Sequence, residues 1–231
     1  RLSADYVADD SNPRHGHREQ PNGINPVFTP PANVYDTNAG SGDSNEVWTS
    51  GYSLLGQWNI NENLTFKSIT AAREGETIGT IDFDNTPGPV LDIPAYYKDD
   101  QLSQEFQLLF DYDRLQGVAG LYFLDAHAEG AFDTVLGLAN LTIFTTGSVD
   151  TTSYAAFADV SFDILENLAL SVGGRWTSDE RTGTVLRQNY TGIRTPFFGN
   201  PAAIPGLLRS NYTNSATFEE FTPRASLTWE P

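Results

Sequence analysis

The chain has 231 residues, of which 39 % are apolar and 19 % charged, enough for one large folded domain. Asp and Glu number 30 against 13 Lys and Arg, and the resulting charge of −17 repels phosphate backbones and argues against nucleic acid as a partner. Cysteine is absent, which excludes a disulfide framework, thiolate metal sites and a cysteine nucleophile.

Residues 1–45 read as a long loop segment. His15 and His17 flank Gly16, and a His-x-His pair on one strand face can ligate a metal. Here the pair lies between Ser11-Asn12-Pro13 and Pro21-Asn22-Gly23, a turn-rich context with no second pair, so a solvated loop is expected. The run from Asp36 to Glu46 has the composition of a calcium loop but fails its spacing, with Gly40 at position five, Ser41 at six and Val47 at twelve. No metal ligand and no cofactor is assigned.

From residue 46 onward, apolar and polar residues alternate with period two, the signature of strands. Tyr52, Leu54, Gly56 and Trp58 oppose Ser53, Leu55 and Gln57, and Leu64 and Phe66 oppose Thr65 and Lys67. Phe106, Leu108 and Phe110 oppose Glu105, Gln107 and Leu109. Tyr154, Ala156, Ala158, Val160 and Phe162 oppose Ala155, Phe157, Asp159 and Ser161. Leu168, Leu170, Val172, Gly174 and Trp176 oppose Ala169, Ser171, Gly173, Arg175 and Thr177. Phe221, Pro223, Ala225, Leu227 and Trp229 oppose Thr222, Arg224, Ser226 and Thr228. Seven strands are predicted, near 46–58, 63–78, 101–110, 116–129, 152–162, 167–184 and 216–229. The fourth is apolar on both faces, and its register is open. The longest apolar run, 118–124, falls far short of the roughly 20 residues of a membrane helix.

Three connections are short and polar, near 59–62, 111–115 and 163–166. Three are long, 79–100, 130–151 and 185–215, with 1–45 as a fourth. Short and long alternate, so the short turns all lie at one end of an up-and-down sheet. Soluble domains rarely carry several structureless loops beyond about 15 residues, whereas outer-membrane barrels combine short periplasmic turns with long external loops. Trp48, Trp58, Trp176 and Trp229 share the parity of the apolar face. Trp48 and Trp58 are separated by about 33 Å at roughly 3.3 Å per residue, which a tilt of about 40° reduces to about 25 Å of height. That matches an apolar band edged by two aromatic girdles, and the four tryptophans are expected in those girdles. Arg175, Asp179 and Arg224 take the opposite parity and are expected to line a lumen. The fold class expected is therefore all-β, an antiparallel up-and-down transmembrane β-barrel segment of about seven strands, with residues 1–45 as an external loop segment and 46–231 as a partial barrel domain. A soluble β-sandwich that binds carbohydrate through acidic loops stays open as the alternative.

Asp82, Asp84, Asp92, Asp99 and Asp100 crowd one stretch, but glycosidase chemistry needs a matched acid and base across one sugar, and no nucleophile elbow, phosphate loop or dinucleotide fingerprint appears. No catalytic residue is assigned. Aromatic rings in the long loops, Tyr96, Tyr97, Tyr190, Phe197, Phe198 and Tyr212, are the candidate ligand contacts, since such rings stack on sugars or flat chelates.

In the order of its strands, the chain resembles the barrel of TonB-dependent outer-membrane receptors. The likeness lies in Gln101-Leu102-Ser103-Gln104-Glu105-Phe106-Gln107-Leu108, Val118-Ala119-Gly120-Leu121-Tyr122-Phe123, Ser153-Tyr154-Ala155-Ala156-Phe157-Ala158-Asp159, the stretch from Leu170 to Glu180, and Phe221-Thr222-Pro223-Arg224-Ala225-Ser226-Leu227. It covers most strands and none of the long loops. The resemblance implies a plugged barrel of about 22 strands in the bacterial outer membrane. It also implies import of a scarce nutrient (siderophore-bound iron, a cobalamin-like complex or an oligosaccharide) with energy from TonB. The implied partners are outer-membrane lipid, the nutrient and TonB. The family's plug and its energy-coupling box are not found in this sequence. The opening Arg1-Leu2-Ser3 and a final strand cut at Pro231 read as an excerpt of a longer chain.

Overall fold

A computed structural model describes residues 1–20 and 28–230; the turn expected at Pro21-Asn22-Gly23 lies outside them. The chain forms one antiparallel sheet of eight strands in sequence order: β1 (Leu2–Asp9), β2 (Asn45–Asn61), β3 (Leu64–Asp82), β4 (Leu91–Tyr112), β5 (Leu115–Leu136), β6 (Leu141–Leu165), β7 (Leu168–Thr191) and β8 (Ile204–Trp229). Every neighbouring pair is a meander hairpin, and among the described residues β1 and β8 do not pair with each other. The strand count corrects the expected seven. The added strand is β1, whose Leu2, Ala4, Tyr6 and Ala8 meet Leu54, Tyr52, Ser50 and Trp48 of β2. It lies in the stretch read as loop, so the connection to β2 is 10–44.

A second difference concerns strand length. The stretches 79–100, 130–151 and 185–215, read as long loops, are mostly paired strand. Their connections shrink to 83–90, 137–140 and 192–203, the last two holding single 3₁₀ turns at Gly137–Ala139 and Pro196–Phe198. At the opposite end, two-residue turns at 62–63, 113–114 and 166–167 close the hairpins. Asp113 takes a left-handed φ of 31° there, as tight hairpin turns of this length require. The end-to-end asymmetry of the connections therefore holds, while their lengths do not.

The register sorts side chains onto two faces. Trp58, Phe66, Leu108, Ala119, Ala158, Gly174 and Pro223 form one row across seven strands, and Gly56, Ser68, Phe106, Leu121, Ala156, Trp176 and Phe221 form the next on the same face. Among the described residues, no second layer covers this face. Trp58 is 65 % exposed, Leu227 64 %, Val172 48 % and Leu170 38 %. A sandwich core would bury these side chains, so the sandwich alternative fails here.

The apolar band does not follow the hydrogen-bonded rows. On β2 it runs from Trp58 up to Tyr52; the row of Tyr52 reaches Glu180 on β7, where the band already stops at Trp176. A slide of four residues, about 13 Å, over five strand spacings of about 4.8 Å corresponds to a strand tilt of about 30°, near the range that barrel strands require. Glycines on this sheet give room to rings from neighbouring strands. A Cβ on Gly174 would meet the Phe221 ring at 2.6 Å, and one on Gly120 would meet Phe157 at 2.4 Å.

Candidate functional site: the inward face and the outer rim

The face opposite the apolar band is polar. Arg175 lies over the rings of Tyr122 and Phe157, at 5.4 and 5.8 Å, and donates to the Thr177 hydroxyl. Asp179 accepts from Ser153 at 2.5 Å and from Arg181 at 3.4 Å. Arg224 reaches Asp159 at 3.1 Å across the backbone of Gly173, where a side chain would block it. Arg175, Asp179 and Arg224 thus share one face, on the last two strands, β7 and β8. Basic residues concentrate there: Lys67, Arg73, Arg175, Arg181, Arg187 and Arg224 all have inward parity, whereas Lys98 faces outward in a row with Trp48, Glu76 and Glu129.

The aromatic candidates separate into two groups. Tyr97 and Tyr212 lie in one inward row with Gly130, Gly147 and Val185 between them. The Tyr97 ring leans over Gly130, where a Cβ would meet it at 2.7 Å. Two glycines leave a low floor about 19 Å wide between the tyrosines, four strand spacings at about 4.8 Å. Tyr96, Tyr190, Phe197 and Phe198 instead gather on the outward side around Phe144. Their ring centroids lie 6.1 Å apart for Tyr96–Phe197, 4.9 Å for Phe197–Phe198, 5.8 Å for Phe144–Phe197 and 6.4 Å for Phe144–Tyr190. The expectation that all six ride on long loops is corrected: Tyr96 and Tyr97 are in β4, Tyr190 in β7 and Tyr212 in β8, and only Phe197 and Phe198 are in a connection.

The tryptophans all have outward parity. Trp58 and Trp229 stand at the short-turn end and Trp176 at the upper limit of the band on β7. Trp48 lies beyond Tyr52, one row above the Ser50–Glu74 hydrogen bond and directly beside Glu76. The band on β2 therefore ends at Tyr52, below Trp48.

At the far end, connections fold back over the outward side and bury polar groups. Asp133 is fully buried and accepts from the Thr195 amide at 2.7 Å and its hydroxyl at 3.0 Å. Thr142, also fully buried, accepts from the Arg194 amide and donates to the Gly192 carbonyl. Arg194, at a left-handed φ of 65°, sends its guanidinium to the Ser41 carbonyl at 2.8 Å. His15 and His17 contact the carbonyls of Gly42 and Asp36, which ties the 10–44 connection to itself. The region above the band is thus a folded rim.

The family model described as "TonB dependent receptor-like, beta-barrel" matches residues 1–231. The chain belongs to the TonB-dependent receptor β-barrel family. Its place is the Gram-negative outer membrane, which accounts for an exposed apolar band on a sheet whose other face is polar. Among solved structures, the ferric yersiniabactin uptake receptor FyuA from Yersinia pestis is similar in fold, with 14 % identity and a TM-score of 0.61 over 80 % of this chain and 26 % of that one. The chain therefore spans about a quarter of that receptor's length. No curated protein matches the sequence.

For a receptor barrel, the residues that sequence reasoning missed are those of the rim. Asp82 and Asp92 are paired across β3 and β4, and Thr142, Thr195 and Arg194 join connections distant in sequence. The one available signal is local: Asp82, Asp84 and Asp92 flank Thr86-Pro87-Gly88-Pro89, a composition that turns the chain and brings its flanks together.

Proposed function

We propose that this chain is part of a TonB-dependent importer that takes up a scarce nutrient at the rim and passes it along the inward face. Tyr97 and Tyr212, on either side of the Gly130–Gly147 floor, make first contact. Arg175, Asp179 and Arg224 line the passage, and Trp58, Trp176 and Trp229 anchor the band in lipid, with Trp48 standing above it. TonB supplies energy through a part of the receptor outside this chain. The observation that carries the reading is the segregation of charge: an outward band without charge, and an inward face holding six of the basic side chains. Three of those six pair with carboxylates of the same face, Arg73 with Asp5, Arg181 with Asp179 and Arg224 with Asp159, so the face is polar and mixed in charge, and siderophore-bound iron, a cobalamin-like complex and an oligosaccharide all stand as cargo classes.

The test is uptake by cells expressing the full receptor, with ferric hydroxamate and catecholate chelates, cobalamin and maltooligosaccharides as probes. Tyr97→Ala and Tyr212→Ala should lower uptake of the probe that is transported, while Tyr96→Ala and Phe197→Ala leave it near wild type. Transport of none of these probes, or transport that the Tyr97 and Tyr212 variants leave intact, would sink the reading.

A further inference from the structure

The rim buries three carboxylates in one place. Asp82 and Asp92 are register partners, Asp84 follows in the 83–90 connection, and one oxygen of each lies within 4.8 Å of the other two. They are 4 %, 2 % and 8 % exposed for Asp82, Asp92 and Asp84. Asp82 accepts from the amides of Gly40 (2.8 Å), Ser41 (3.3 Å) and Asn85 (2.6 Å). Asp84 accepts from the Thr86 amide and hydroxyl and from the Leu91 amide. Each of these oxygens has two acceptor positions, so neither carboxylate is saturated.

A second observation is independent of the clustering. Asp92 Oδ1 has no hydrogen-bond partner among the described residues, and neither do the hydroxyls of Thr80 and Ser41, at 8 % and 4 % exposure. Thr80 stands two residues before Asp82 on the same face and diagonal to Asp92, while Ser41 already brings its amide to Asp82. No salt bridge joins the three carboxylates to a Lys or Arg among the described residues. Asp92 lies about 33 Å along β4 from Leu102 at the edge of the apolar band, outside the membrane. Carboxylates taken out of water are stable only when neutralised, paired or bound to a metal.

We propose that Asp82, Asp84 and Asp92, with the Thr80 and Ser41 hydroxyls, hold a calcium-type divalent cation. All donors are oxygen, which selects a hard ion over zinc or copper. Calcium accepts about six to eight oxygen ligands in a flexible arrangement, which suits carboxylates and hydroxyls drawn from three separate stretches of chain, whereas magnesium demands a stricter octahedron. Such an ion ties the 10–44 connection, through Gly40 and Ser41, to the ends of β3 and β4. The Arg194 contact with Ser41 extends the tie to 192–203. The site takes no part in cargo binding, so it stands independently of the import reading.

The test uses the full receptor in detergent, freed of metal with a chelator and titrated with calcium alone by calorimetry. Saturable binding is expected, weakened at least tenfold by Asp82→Asn or Asp92→Asn and unchanged by Asp99→Asn, an exposed carboxylate on the other face. Limited proteolysis within 10–44 gives a crossing signature. Calcium should slow cleavage of wild type. Asp92→Asn without calcium should be cut more slowly than wild type without calcium, yet gain nothing from the ion. Should an Asn variant fail to assemble, Thr80→Val keeps every charge and should still weaken binding severalfold. Absence of binding to wild type up to about 10 mM calcium, well above the range of weak extracellular sites, overturns the proposal, as does binding that both Asn variants leave intact.

Discussion

The membrane band and the rim are built from the same eight-stranded ladder and are stabilised in opposite ways. In the band, large side chains such as Trp58, Leu121, Leu227 and Trp229 are each at least 60 % exposed, and none of the described residues covers them. Lipid is their solvent, and the paired backbone is what holds the strands together. In the rim, Asp133, Thr86, Thr142 and Thr195 are almost fully buried, and polar side chains form the interior. The lesson is that one outward face changes character along a strand: it carries apolar groups where lipid replaces water, and polar groups such as Asp133 and Thr142 where connections cover it.

Substitutions at the two levels should therefore differ in kind as well as size. Val172 sits at the centre of the band on β7. Val172→Arg should cost about 2–4 kcal/mol in the refolding equilibrium of the full receptor in liposomes, whereas Ser171→Arg, on the inward face, should cost far less. Equal costs would erase the distinction between faces. In the rim, Asp133→Ala strands the Thr195 amide and hydroxyl without their acceptor. A loss of about 1–3 kcal/mol is expected, read as faster hydrogen exchange across 192–203 with the band amides unchanged. A global change would mean that rim and band unfold together. On the inward face, Arg224→Ala removes an exposed pair with Asp159 and should change stability by less than about 1 kcal/mol.

The smallest effect tests the border just above the band on β5. His127 Nδ1 lies 2.6 Å from Asp150 Oδ1, and this hydrogen bond first, with the charges of Asp150 and Glu129 behind it, raises its pKa above the ordinary 6.5. Because the folded value is the higher one, the contribution is complete below about pH 6.5 and disappears as pH rises through the folded pKa. Asp150→Asn should bring the His127 midpoint down towards 6.5 in an NMR titration. An unchanged midpoint would show that the pair does not form.

Strand β7 shows how far the sequence could be read. Leu168, Leu170, Val172 and Trp176 alternate against Ser171, Arg175 and Thr177 because one side faces lipid. Beyond Ser178, Glu180, Thr182 and Thr184 alternate with Asp179, Arg181 and Gly183, polar against polar, and the period-two signal fades although pairing continues to Thr191. In 79–100 the obstacle is different: on β4, Leu91, Ile93 and Ala95 alternate with Asp92 and Pro94, but with the parity opposite to Phe106 and Leu108, so the pattern does not continue that of the band. Among the aromatic candidates, Tyr96 and Tyr97 are adjacent and face opposite ways, and which of them looks into the lumen depends on the register with β5. For Arg175, Asp179 and Arg224, parity was enough to place them together on the inward face.

By itself, the sequence determined the class of the sheet, its outward apolar face and the end at which the turns are short, because lipid imposes a period-two pattern that local chain chemistry must carry. Only the tertiary structure decided how far the strands climb beyond the membrane, which aromatic rings face the lumen, and that Asp82, Asp84 and Asp92 share one buried space. Those features depend on hydrogen-bond register and on contacts between connections far apart in the chain, where no lipid imposes one apolar face on the pattern.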